Sequence, residues 1–343
     1  MTDIPVTASP VTDVYQRPLR DLRISVTDRC NFRCTYCMPE EIFGEKYKFL
    51  PHPEILTYEE ITRLTRIIVR LGAVKLRLTG GEPLMRRDIE QLIQGLAQLD
   101  GVHDIAMTTN AFFLPQKAHA LREAGLQRIT VSLDSLDDAT FRKINGNRSS
   151  VEQVLTGIKS AQEAGFDPIK INAVVQRGVN EDQIVELARF CRDEGLILRL
   201  IEYMDVGTMN GWRMDQVVPA QEMVERIDAA FPLKPVARNY QSETALRFEY
   251  ADGQGEVGMI ASVTQPFCGA CSRMRLSPQG GMYTCLFATE GIDLKTPLRD
   301  GATDDELEAI IRGTWQKRTD AYSEQRTSAT TDRKKVEMYF IGG

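Results

Sequence analysis

The chain has 343 residues, a net charge of −6 and 42% hydrophobic residues, the make-up of a globular protein with room for a large core. The acidic balance excludes a general attraction to nucleic acid, so an anionic ligand needs a local basic cluster. No stretch is long and apolar enough to span a membrane, and residues 1–19 lack the apolar run of a secretory signal.

In chain order, residues 1–19 read as a flexible arm. From 20 to 230 strand and helix patterns alternate. Strands are expected at 22–27, 74–79, 104–109, 128–133, 169–175 and 196–203. Thr57 with Glu60 forms a capping box that opens a helix to about Leu71, and Gly72 closes it. Asn180 with Gln183 is expected to open another helix in the same way. Helices at 87–99, 116–124 and 151–164 fill other gaps. Six strand–helix units in series predict a parallel sheet with right-handed crossovers. Two further units would be needed for a closed eight-unit barrel. The expected fold is therefore α/β, an open, partial six-unit (β/α) barrel of TIM-like type. From 231 to 343 the pattern changes. Short strands at 246–250, 256–262, 274–277 and 281–283 predict a small antiparallel layer, and a helix follows at 304–315. Residues 317–335 are polar and read as a loop or frayed region.

Adjacent residues on a strand face opposite ways. Arg23, Ser25 and Thr27 oppose Leu22, Ile24 and Val26. Lys75, Arg77 and Thr79 oppose Leu76 and Leu78. Thr130, Ser132 and Asp134, then Lys170 and Asn172, then Arg199, continue the series. Polar sides can face solvent in a one-sided sheet. In a parallel sheet the apolar side must meet the helices, which directs the polar side into a lumen. That lumen would be wide, wet and cationic, suited to a polyphosphate. No phosphate-cradling G-x-x-x-x-G-K-[ST] loop is present.

Six of the seven cysteines fall into two groups of three. Cys30, Cys34 and Cys37 form a C-x3-C-x2-C run. Cys268, Cys271 and Cys285 form a C-x2-C-x13-C set. A structural zinc site wants four protein ligands, and His52, His103 and His119 have no suitable spacing to supply one. Zinc nevertheless stays open for the second group. Disulfides fit poorly with an odd count and the tight spacing. Cys191 sits in an amphipathic stretch and reads as a core thiol. Two three-thiol groups suit iron–sulfur clusters that each keep one iron free. Sensitive thiols of this kind point to a reducing cytoplasm.

Cys30-x3-Cys34-x2-Cys37 and Leu78-Thr79-Gly80-Gly81-Glu82-Pro83 together resemble the signature of radical S-adenosylmethionine (SAM) enzymes. Within that superfamily the chain is similar to the GTP 3′,8-cyclase family of molybdenum cofactor biosynthesis, from Arg17 to Gly343. Three segments carry the closer resemblance: Phe267-Cys268-x2-Cys271-Ser272-Arg273-Met274-Arg275, Cys285-Leu286-Phe287, and the terminal Gly342-Gly343. One departure is Ala111, where the family carries glycine.

The resemblance implies two 4Fe-4S clusters, one on Cys30, Cys34 and Cys37 and one on Cys268, Cys271 and Cys285. It implies SAM contacts at Tyr36, Gly81, Ser132 and Met204. It implies GTP contacts at Arg23, Arg77, Thr108, Lys170, Arg273, Met274 and Arg275, with Lys75 and Arg199 assisting the triphosphate. The implied reaction converts GTP to (8S)-3′,8-cyclo-7,8-dihydroguanosine 5′-triphosphate. Implied partners are a low-potential electron donor and a downstream cyclic pyranopterin monophosphate synthase, with the protein a monomer or homodimer. No residue is assigned as a proton donor. The Gly-Gly end is expected to thread into the cavity. A radical SAM peptide-modifying enzyme and a zinc-stabilised nucleotide-binding regulator remain the alternatives.

Overall fold

Alternating strands and helices build the centre of the molecule, as the periodicity predicts. The computed structural model describes residues 10–327 and 333–342. Six strands are β1 (Asp21–Ser25), β2 (Lys75–Thr79), β3 (Asp104–Thr109), β4 (Arg128–Ser132), β5 (Lys170–Val175) and β6 (Ile197–Glu202). Each pairs with the next in parallel. Helices Tyr58–Arg70, Ile89–Ala97, Leu114–Glu123, Val151–Glu163 and Ile184–Asp193 pack on the outside. Leu22, Ile24, Leu76, Leu78, Ile129, Val131, Ile171 and Leu198 are buried in the layer between sheet and helices. The polar partners on the same strands therefore point inward, away from the helices.

The later strands are β7 (Leu233–Val236), β8 (Leu246–Tyr250), β9 (Glu256–Ile260), β10 (Arg273–Leu276), β11 (Gly281–Tyr283) and β12 (Ile292–Asp293). Antiparallel pairs occur among them, but they do not form a separate layer. All belong to one sheet in the order β12-β11-β10-β1-β2-β3-β4-β5-β6-β9-β8-β7. β10 joins β1 in parallel and β9 joins β6 in parallel. The six-strand partial barrel is thus widened at both edges by the C-terminal part of the chain. This places Cys268, Cys271 and Cys285 beside the strands that carry the first cysteine group.

Local signals hold in part. Thr57 accepts a hydrogen bond from Glu60 N (3.2 Å), and Glu60 accepts one from Thr57 N (2.7 Å). Asn180 does not cap a helix. Its amide donates to the carbonyls of Asp134 (2.7 Å) and Val174 (2.9 Å), and the helix opens after the turn Glu181–Gln183. The side chain is spent on tying β5 to the β4 end, so it is not free to cap.

Residues 10–19 are packed rather than free. Val11 and Leu19 belong to the core, and Asp13 and Arg17 are buried. Residues 1–9 of the expected arm lie outside the described residues. The stretch 317–335 is irregular but not frayed where described, because Arg318 and Lys335 are buried in ion pairs. Ala111 adopts φ +65° with its side chain fully buried, a left-handed conformation that disfavours any Cβ. Ala111→Gly is expected to raise stability by about 1 kcal/mol, read as a higher denaturant midpoint with an unchanged slope.

Candidate active site

One cavity opens at the C-terminal ends of the strands, where βα loops converge. It brings together all six clustered cysteines with Arg23, Tyr36, Arg77, Gly81, Thr108, Ser132, Arg199, Met204, Arg273 and Arg275. Two expected contacts are placed differently. Met274 is fully buried in the apolar core on the far side of β10, so only its backbone can meet a ligand. Lys170 does not line this cavity; burial, then the nearby Arg199 and Arg128, lowers its pKa to about 7. Lys75 lines a smaller chamber below, with Arg23, Arg77, Arg199 and Arg273 forming the partition between the two.

The first cysteine loop follows β1. Arg33 pins it by donating to the carbonyls of Cys30 (2.7 Å) and Phe43 (2.7 Å). Cys30 Sγ accepts from Phe32 N at 3.4 Å. The Gly-Gly pair after β2 presses directly on this loop. A Cβ on Gly81 would lie 2.3 Å from Arg29 O, a distance no side chain tolerates. Glu82 N donates to Arg29 O at 2.8 Å, which locks the two loops together. Burial pushes the Cys30 thiol up to about 12, with Glu82 adding to it. Burial likewise raises Cys34 and Cys37. Any metal taken up here must therefore displace protons.

The second loop is held differently. Arg17 donates to Cys268 O (2.9 Å) and Arg318 donates to Cys271 O (2.8 Å). Both arginines share the buried carboxylate of Asp13. Burial alone would raise the Cys271 thiol, but the cations Arg273 and Arg318 outweigh it and bring it to about 6. Burial raises Cys285 to about 12. None of the six is in a disulfide, and among the described residues no three His, Cys, Asp or Glu side chains converge as for a single metal ion.

Between the thiols runs a row of guanidinium groups. Arg23 is in register with Arg275 on β10 and with Arg77 on β2. Neighbouring strands lie about 4.8 Å apart, so the three cations crowd one another. Burial, then Arg275 and Arg273, pulls Arg23 well below the usual range. Burial, then Arg23, Arg128 and Arg199, brings Arg77 down to about 9. Among the described residues Arg77 donates to the hydroxyls of Thr108 (3.0 Å) and Thr130 (3.1 Å). The row thus meets hydroxyls and carbonyls, and a bound polyanion would relieve its repulsion. Asn172 Oδ1, also on the cavity wall, is buried with no hydrogen-bond partner among the described residues, as expected of a group that awaits a ligand.

Two buried carboxylates with no role assigned from the sequence, Glu82 and Asp134, line the cavity. Glu82 accepts from Leu84 N (3.0 Å), Thr109 Oγ1 (2.8 Å) and Asn110 N (2.8 Å), and burial pushes it up to about 7 against those bonds. Removing it by Glu82→Ala leaves buried donors unpaired and should cost about 2–4 kcal/mol, measured by denaturant unfolding. Asp134 accepts from Tyr36 OH (2.9 Å) and Val174 N (2.8 Å), and burial raises it to about 6. This bond ties Tyr36, on the cysteine loop, to the end of β4. Gly342 is buried, with its carbonyl accepting from Arg275. It has φ +74°, and a Cβ there would meet Thr79 Cγ2 at 2.2 Å. The chain end therefore reaches two residues of the cavity wall. Gly343 lies outside the described residues.

The Radical SAM superfamily pattern matches residues 24–191, and the Molybdenum Cofactor Synthesis C pattern matches residues 196–324. A protein from Acidothermus cellulolyticus, named GTP 3′,8-cyclase, is 51% identical over 97% of this chain and 99% of its own. GTP 3′,8-cyclases from Xanthomonas campestris pv. campestris (50%; 98% and 99% covered) and Staphylococcus saprophyticus subsp. saprophyticus (48%; 97% and 99% covered) are similar throughout. The chain belongs to the GTP 3′,8-cyclase family of radical SAM enzymes. Among solved structures, Streptococcus suis SuiB bound to S-adenosylmethionine matches with a TM-score of 0.59 and 18% identity, over 86% of this chain and 68% of that one. That likeness is one of fold. The matched superfamily region carries the first cysteine loop and ends just before β6.

Proposed function

We propose that this chain converts GTP to (8S)-3′,8-cyclo-7,8-dihydroguanosine 5′-triphosphate, the first step of molybdenum cofactor synthesis, using SAM and two 4Fe-4S clusters. The observation that carries this reading is a cavity in which two three-thiol groups face a row of three guanidiniums that form no ion pair with a carboxylate among the described residues, the nearest carboxylates, Asp21 and Asp104, lining the chamber behind the row. The residues fit the implied groups. Three thiols without a fourth protein donor suit a cluster that leaves one iron for another ligand. When bound, SAM and its cluster supply the one-electron chemistry that removes hydrogen from ribose carbon 3.

The chain's own residues do the rest. Cys30, Cys34 and Cys37 hold one cluster; Cys268, Cys271 and Cys285 hold the other. Gly81, whose missing side chain lets the cysteine loop pack on it, would present its backbone to SAM at the strand ends. Ser132 and Met204 flank it, and Tyr36, braced by Asp134, closes its side. Arg23, Arg77 and Arg275 grip the triphosphate, with Thr108 orienting Arg77. Arg273 and the Met274 backbone complete that wall. Lys75, Lys170 and Arg199 add positive charge beneath it. Apolar and backbone walls keep water from the reacting carbons, which must lie within about 3–3.5 Å of each other. The product then passes to a cyclic pyranopterin monophosphate synthase, and a low-potential donor supplies electrons in the cytoplasm. The barrel, 20–230, carries SAM, and 231–343 contributes the second cluster.

Metal analysis after anaerobic purification tests the reading. About eight irons per chain with matching sulfide support it, and stoichiometric zinc would replace it with a zinc-stabilised nucleotide-binding regulator. A pH experiment tests the cation floor. Burial, then Arg199 and Arg128, lowers Lys170 to about 7, so in the free protein it is charged below that pH and neutral above it. Bound triphosphate restores its charge. GTP binding should therefore take up a proton between about pH 7 and 9 and weaken by up to about tenfold per pH unit across that window. Titration calorimetry in buffers of differing ionisation enthalpy reads the uptake, and Lys170→Met should remove it.

A further inference from the structure

Beyond β6 the chain turns through Met204, which lines the cavity, and then Asp205, which does not. Asp205 is 3% exposed and has a role that neither the cysteine groups nor the cation row explains. It gathers three partners from the C-terminal part of the chain. Lys335 Nζ donates to its carbonyl oxygen and to its carboxylate, each at 2.8 Å. Arg326 Nε donates to Asp205 Oδ1 at 3.0 Å, and Tyr322 OH donates to Oδ2. Tyr322 in turn stacks on Phe287, with ring centroids 4.4 Å apart and planes 17° from parallel. Phe287 N donates to Cys285 Sγ at 3.4 Å. Val336 N donates to Ala288 O at 2.9 Å, so the segment beyond Lys335 is laid along the second cysteine loop. A second tie follows at once, because Glu337 accepts from Thr208 N (2.9 Å) and Thr208 Oγ1 (3.0 Å). From this double clasp the chain runs to Tyr339, whose hydroxyl bonds that of Tyr47 at 2.8 Å, and on to Gly342 beside Arg275.

We propose that Asp205 is a positioning residue: its carboxylate anchors Lys335 and thereby holds residues 335–342 across the cavity, tying closure of the cavity to the second cysteine loop. A carboxylate nearly out of water with a lysine and an arginine is worth far more whole than broken, because removal of one partner strands a buried charge. The clasp therefore behaves as a latch that is either fully made or open. Its consequence for turnover rests on the proposed function, while the latch itself does not.

Two variants test it on the metal-free protein and on the reconstituted one. Asp205→Asn removes the charge. Lys335→Met keeps the aliphatic stem and leaves Asp205 paired with Arg326 and Tyr322, so it guards against a general folding defect. Hydrogen exchange of the peptide containing Val336 to Ile341 should quicken by at least about tenfold in both, with the strands β1 to β6 unchanged. In reconstituted protein the ratio of 5′-deoxyadenosine to cyclised nucleotide should rise, because an opened cavity lets the reaction miscarry; a merely structural defect lowers both products together. Unchanged exchange overturns the latch. Lost protection with an unaltered product ratio overturns the positioning role. If wild-type protein makes no deoxyadenosine, the functional reading fails while the exchange result still decides the latch.

Discussion

Cys34→Ala should retain about four irons per chain in place of about eight and make no detectable 5′-deoxyadenosine, a loss of about a thousandfold or more. Cys34 stands between Cys30 and Cys37 on a loop clamped by Arg33 from one side and by the Gly80-Gly81 backbone from the other. The companion variant Cys271→Ala should lose the other four irons. It should still cleave SAM but form little cyclised nucleotide. Iron and sulfide analysis with product chromatography checks both. Equal metal content in Cys34→Ala and wild type would show that the first loop holds no cluster.

Arg77→Met should weaken GTP binding by about a hundredfold while stabilising the empty protein by about 1 kcal/mol. The opposite signs come from one cause. Arg77 sits in register with Arg23 and, among the described residues, bonds the hydroxyls of Thr108 and Thr130. Its removal relieves repulsion in the row. With triphosphate present the same cation makes a charge-assisted contact, and its removal leaves phosphate charge unmatched. Calorimetric binding and thermal unfolding of ligand-free protein test the pair. A fall in stability together with a loss of affinity would mean that Arg77 is a structural brace.

The alternation of strands and helices was legible because each parallel strand must be followed by a crossover. The inward polar series Arg23, Arg77, Ser132, Asn172 and Arg199 was legible because a strand's two faces differ in what they touch. The cysteine spacings needed only counting. What was not legible came from distance along the chain. β9 and β10 join β6 and β1 in parallel, and nothing near Val257 or Met274 in the sequence marks those partners. Met274 was expected on a strand and, from the resemblance, at the GTP site, yet the strand turns its side chain into the core. Asp13 and Arg17 fall in the stretch expected to be a flexible arm, and Arg318 in the one expected to be a loop or frayed region. Their burial depends on one another, and a pair separated by some three hundred residues leaves no local pattern. Glu82 and Asp134 were hidden for the same reason, because their donors are backbone amides whose positions only the fold supplies.

The central claim is that the cavity holds the ribose of GTP against the SAM site while the guanidinium row holds its phosphates. GTP deuterated at ribose carbon 3 tests this most directly. Reconstituted protein given SAM, reductant and this GTP should place deuterium in the 5′-deoxyadenosine it forms. Deoxyadenosine that forms at the same rate but carries no deuterium would contradict the account.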